Sequence, residues 1–195
     1  MNEAAWAFGR VSGFISLALF TGSVLLGILT RSGRPILSLP RFSVTVLHRN
    51  VALLGTIFLG LHVGSLMLDS YARLSPVDVL VPFLGSHRSF WQGLGTVALD
   101  LVLAVVITGL LRHRIGQRAF KAVHWLAYGM WPIALAHAIG NGTNGTGTLF
   151  LVAAVASVAA VGAAVLWRLS AVFLETAQAR QAQARQAQAR QEGPR

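Results

Sequence analysis

Six histidines stand in the chain, and four of them fall inside long apolar runs. There an ionisable side chain is costly and marks a functional site by default. His48 and His62 lie 14 residues apart in one run, and His124 and His137 lie 13 apart in another. Imidazole carries protons and ligates metals, so either chemistry is open to such residues. A lone membrane histidine more often packs and hydrogen-bonds than ligates. Two matched pairs are harder to reduce to packing. On a helix, 14 residues separate two side chains by ~21 Å and leave them ~40° apart, on one side. A spacing of 13 leaves ~140°, and Pro132, between His124 and His137, is expected to kink or rewind its helix and restore the alignment.

The elements that must position these residues follow from composition. The 195 residues are 54% hydrophobic and only 11% charged, with a mean hydropathy of +0.63. That leaves too little charge to clothe a water-soluble domain. Five runs approach the ~20 residues needed to cross a bilayer, at about 11–29, 44–68, 94–111, 123–139 and 148–169. The first lacks a basic n-region, because Glu3 precedes Arg10, so it reads as a mature helix and not a signal peptide. The expected fold is an all-α membrane protein, a bundle of about five transmembrane helices over residues 1–170. A low-complexity Gln/Ala/Arg tail over 171–195 would be solvated and partly helical.

The net charge of +10 is distributed by side. Arg31, Arg34, Arg41 and Arg49 separate the first two runs; Arg112, Arg114, Arg118 and Lys121 separate the third and fourth; Arg168, Arg180, Arg185, Arg190 and Arg195 follow the fifth. The other connections are balanced (Arg73 and Arg88 against Asp69 and Asp78) or, over 141–147, uncharged. This is the positive-inside pattern, with the N-terminus outside and the C-terminus in the cytoplasm of a cell membrane, the bacterial plasma membrane being expected. It accounts for the basic charge without nucleic acid.

With this topology both histidine-bearing helices run from inside to outside. His48 then lies level with His124 near the inner face, and His62 with His137 near the outer face. Each level offers two imidazoles from opposed helices, as a bis-histidine haem requires. Gly55 lies seven residues from both His48 and His62, midway between the levels and a candidate for contact with either group. Gly60 and Gly64 flank His62 and would admit a flat macrocycle, although close helix packing uses the same pattern. The chain has no cysteine, which excludes disulfides, thiolate-held clusters and cysteine-anchored haem.

The segments His48-Arg-Asn-Val, Leu61-His62-Val, Lys121-Ala-Val-His124-Trp-Leu-Ala-Tyr and Ala136-His137 resemble the ferric reductase-like transmembrane domain. That family includes the membrane halves of ferric reductases and NADPH oxidases and the haem subunits of bacterial methionine sulfoxide repair. The resemblance covers roughly residues 6–170. It implies two b-type haems, the inner ligated by His48 and His124, the outer by His62 and His137, and an electron-transfer component of an oxidoreductase. Many relatives have six spanning helices where five are read here. Reductases and oxidases of the family continue into a flavin- and nicotinamide-binding domain, whereas here the Gln/Ala/Arg tail follows. The donor is therefore expected to be a separate flavoprotein or quinol, and the acceptor an outer oxidant or partner oxidoreductase.

Two other functions use the same residues. A haem-free, histidine-lined transporter or proton pathway would employ the four histidines with Asp100, which lies inside the third run. A quinol-oxidising cytochrome of the b561 type would keep the haems but change donor and topology. Gly93-Leu-Gly95-Thr-Val-Ala98 matches a dinucleotide fingerprint in spelling only, since it opens an apolar helix and follows no strand. His87 and His113 read as surface residues. Trp91, Trp125, Trp131 and Trp167 read as an interfacial belt or haem packing. Of Arg10, Arg49, Arg73, Arg88 and Arg112, all near helix ends, one or two are expected to meet haem propionates. The apolar patch 77–84 in the outer loop is too short to span and reads as interfacial or re-entrant.

Overall fold

The structure, a computed structural model, describes residues 3–32, 41–69, 74–85, 88–141, 147–170, 173 and scattered tail positions between 181 and 190. Arg34, Pro35, Pro40, Arg73, His87, Arg180, Arg195 and most of the 141–147 turn lie outside the described residues. Among those described, all regular structure is helical. In order these are α1 (Glu3–Ser32), α2 (Arg41–Leu68), α3 (Pro76–Leu80), α4 (Ser89–Leu110), α5 (Arg112–His124), α6 (Leu126–Asn141) and α7 (Thr148–Leu169). Four of them, α1, α2, α4 and α7, are long and apolar enough to cross a membrane.

The run expected at 123–139 is divided. Its helix breaks at Trp125, leaving 16 residues in α6. At the break the Tyr128 N–H bonds the Trp125 carbonyl, three residues back, at 3.1 Å, a 3₁₀-type turn. Pro132 lies inside α6 without interrupting it. The connection before it, expected as a basic loop, is largely the helix α5. Gly116 kinks α5 into two helical pieces at a non-helical φ +79°, ψ 161°, backbone space that favours glycine.

α1 is the central element. It packs along α2 and against α6 and α7, while α4 packs along α6. Val24 and Ile28 of α1 meet Trp131 and Leu135 of α6 and Ala154 and Val161 of α7, and Phe20 meets Val102 and Met130. The polarity is that of a protein immersed in hydrocarbon. Ser12, Ser16, Thr21 and Ser23 are buried, whereas Leu149 and Leu166 are 86% and 71% exposed. Small hydroxyl residues allow helices to approach closely and satisfy themselves on backbone. Ser12 and Thr21 bond the carbonyls of Phe8 and Leu17 one turn earlier, and Ser16 reaches across to the Gly55 carbonyl of α2 at 2.9 Å. Trp131 donates its indole N–H to Thr21 Oγ1 at 2.9 Å and ties α6 to α1.

The patch 77–84 carries the short helix α3. Ser75 caps it, and its Asp78 carboxylate returns a bond to the cap in a capping box. Thr96 of α4 donates to the Asp78 carbonyl at 2.8 Å, holding this segment over the start of α4.

Candidate functional site: two facing histidine pairs

α2, with His48 and His62, and the end of α5 and α6, with His124 and His137, bring the four histidines together in two pairs. The rings of His48 and His124 have centroids 6.2 Å apart and planes at 83°. Those of His62 and His137 stand 6.5 Å apart at 79°. Two imidazole nitrogens each ~2.0 Å from one shared metal place their ring centroids ~6 Å apart. Both pairs therefore have the separation of two ligands on opposite sides of one ion. Among the described residues no three His, Cys, Asp or Glu side chains converge on one point, so each pair could supply axial ligands to a planar group but not a whole coordination sphere. The 3₁₀ turn at Trp125 advances the chain by more than the α-helical ~100° per residue. One such turn adds only ~60° of the ~140° that a spacing of 13 leaves open, and Pro132 lies inside α6.

Three of the rings are held from behind in the same way. His48 Nδ1 lies 2.9 Å from the Ser23 carbonyl, with the Ser23 hydroxyl at 3.3 Å. His62 Nδ1 lies 2.7 Å from the Gly9 carbonyl, and His137 Nδ1 lies 2.8 Å from the Trp91 carbonyl. A carbonyl oxygen only accepts, so each Nδ1 carries the proton and each neutral ring keeps its lone pair on Nε2. That is the tautomer a metal ligand needs, oriented by the backbone.

A glycine stands four residues after each of those carbonyls. A Cβ on Gly13 would come within 2.8 Å of the His62 ring, one on Gly27 within 3.3 Å of His48, and one on Gly95 within 2.6 Å of His137. The reason lies in helix geometry. A carbonyl is shared with the N–H four residues on, and its second lone pair can be reached from the side only if the residue there has no side chain in the way. Each histidine thus rests in a socket made of a carbonyl and a glycine one turn later. Gly13 and Gly27 were not among the residues singled out from sequence, although a signal existed: they are 14 apart, as are His48 and His62. Gly95 proves to be a packing position for His137, which gives the fingerprint-like spelling around it a use unrelated to nucleotides.

Gly55 packs against Leu19 and the Phe20 ring of α1, the helix-packing use of a small residue. Gly60 and Gly64 face open space. His124 differs from its three counterparts. Its Nδ1 is buried without a hydrogen-bond partner among the described residues, and its ring lies 5.1 Å from that of Phe120.

A cavity of about 710 Å³ opens beside His62 and His137, within the ~300–1,000 Å³ typical of small-molecule sites. Phe14, Leu17, Phe20, Leu59, Leu99, Val102 and Met130 make it largely apolar, and Arg10, Arg88, Gln92, Asp69 and Asp78 supply its polar lining. Arg10 also stacks on the Trp6 ring at 4.4 Å, and Arg88 bonds the Gly140 carbonyl at 3.0 Å. Of the other arginines considered, Arg73 lies outside the described residues, and Arg49 and Arg112 do not line this cavity: Arg49 is exposed, and Arg112 meets His113 at 3.4 Å. Asp100 is exposed on α4 and does not line it either. The tryptophans divide. Trp131 is buried in the core, Trp125 lies under Arg168 at 4.9 Å, and Trp91 contributes its carbonyl to His137.

No family model, curated protein or solved structure matches the chain.

Proposed function

We propose that this protein binds two b-type haems, one between His48 and His124 and one between His62 and His137, and conducts electrons across a cell membrane. The observation that carries the reading is the facing of the rings at 6.2 and 6.5 Å, with three Nδ1 protons turned away onto backbone carbonyls. When bound, such a group would supply reversible one-electron chemistry, held by His48 and His124 at one level and by His62 and His137 at the other. The chain's own part is to fix the ligands' tautomer and direction, exclude water with apolar walls, and balance charge. Arg10 and Arg88 are the cations placed to pair with acidic substituents of a group beside His62 and His137.

In this reading five segments cross the bilayer, α6 together with the end of α5 being the fourth. The N-terminus is outside and the C-terminus cytoplasmic. Support comes from the gathering of charge at one end. The α5 cations precede His124 along the chain, and Arg168 stacks on Trp125 and Tyr128 beside it. Electrons would enter from a cytoplasmic flavoprotein or a quinol, and leave to an outer acceptor or a partner oxidoreductase.

The test is a reduced-minus-oxidised absorbance spectrum of the purified chain, with extracted haem counted per chain. Two haems are expected, falling to one when any of His48, His62, His124 or His137 becomes alanine. A folded, haem-supplied preparation with no Soret band overturns the proposal and leaves histidine-dependent transport as the function to assay.

A further inference from the structure

Three histidines have sockets and the fourth has none. In α1 the sockets repeat after 14 residues, from Gly9/Gly13 to Ser23/Gly27. In α4 the socket of His137 is Trp91/Gly95, and the same step of 14 leads to Val105 and Gly109. That step keeps the residues on one face and descends ~21 Å, while the 13 residues from His137 back to His124 descend ~20 Å along α6 to the end of α5. The fourth position of the pattern therefore falls level with the fourth histidine.

We infer that Val105 and Gly109 are the positioning residues of His124: Gly109 uncovers the Val105 carbonyl, and His124 donates its Nδ1–H to it when the His48–His124 level is occupied. This rests on the haem reading proposed above. Two further observations support it. His124 Nδ1 is buried without a hydrogen-bond partner among the described residues, which costs free energy until an acceptor is found. A Cβ on Gly109 would meet nothing within 4 Å, so the place against this glycine is open for a ring. The Val105 carbonyl is not otherwise engaged from a side chain except by Thr108 Oγ1 at 3.2 Å, and that hydroxyl has a closer acceptor in Ala104 at 2.6 Å.

The experiment isolates the inner level. In a His137→Ala background, which leaves only the His48–His124 pair complete, haemin is titrated into the purified apoprotein and the low-spin ferric signal is recorded by electron paramagnetic resonance. Adding Gly109→Leu covers the Val105 carbonyl. The expected result is a roughly 10- to 100-fold loss of haemin affinity, the usual effect of losing an outer-shell partner, and a changed anisotropy of the remaining signal. Gly109→Ala, a smaller cover that spares the fold, changes the same signal in the same direction by less. Gly129→Leu, also facing open space, changes neither. Unaltered affinity and signal in both Gly109 variants overturn the inference while leaving the haem reading intact. Absence of any haemin binding by the unmutated chain overturns that reading instead.

Discussion

At the scale of single residues, the site depends on atoms that bear no side chain. A histidine can serve as a directed ligand only if its far nitrogen is committed elsewhere, and here the commitment is to backbone carbonyls uncovered by glycine. Replacing Gly95 or Gly13 by leucine forces side-chain atoms into the His137 or His62 ring, because even a Cβ would come within 2.6 or 2.8 Å. Each variant is expected to lose the haem of the His62–His137 level and keep the other, read as one extracted haem per chain. Gly60→Leu, which enters open space, keeps both. The histidines were legible in the sequence because their type is unusual in apolar runs. The socket glycines Gly13 and Gly27 were not singled out, because glycine is common in membrane helices and only a partner ring distinguishes these from the rest.

At the scale of elements, the stretch from the end of α5 through α6 carries one histidine of each pair. Its pairing with α2 requires His124 and His137 to face one way despite a spacing of 13. A 3₁₀ turn follows Trp125, whereas Pro132 sits within continuous helix. Pro132→Ala is therefore expected to leave two haems per chain; loss of the outer one would return the proline to the role expected from sequence. The packing of α6 on α1 runs through the buried bond from Trp131 to Thr21. Trp131→Phe keeps the ring but removes the donor, and should lower stability by about 1 kcal/mol, seen as a lower melting temperature with haem content unchanged. The division of the run 123–139 was not legible because a break at a tryptophan carries no glycine or proline signal.

At the scale of the whole molecule, the proposed sidedness rests on the charge pattern. The absence of cysteine makes that assignment easy to test with single introduced thiols. Ser89 at the start of α4 and Ser170 after α7 are both exposed. On intact cells a membrane-impermeant maleimide is expected to label Ser89→Cys and to leave Ser170→Cys unlabelled until the membrane is opened. The reverse pattern would invert the proposed direction of electron flow.

Composition and periodicity sufficed to determine that the chain is helical, that long apolar helices dominate it, and which four histidines stand out. Those properties follow from transfer free energies and helical repeat, and both can be read one segment at a time. What only the tertiary structure decided is relational. It set which ring faces which, that Gly55 serves packing on α1, that Trp131 belongs to the core and not to a belt, and that carbonyls of α1 and α4 hold the rings. These depend on the rotation and depth of one helix against another, fixed by close contacts between distant residues, and no single segment contains them.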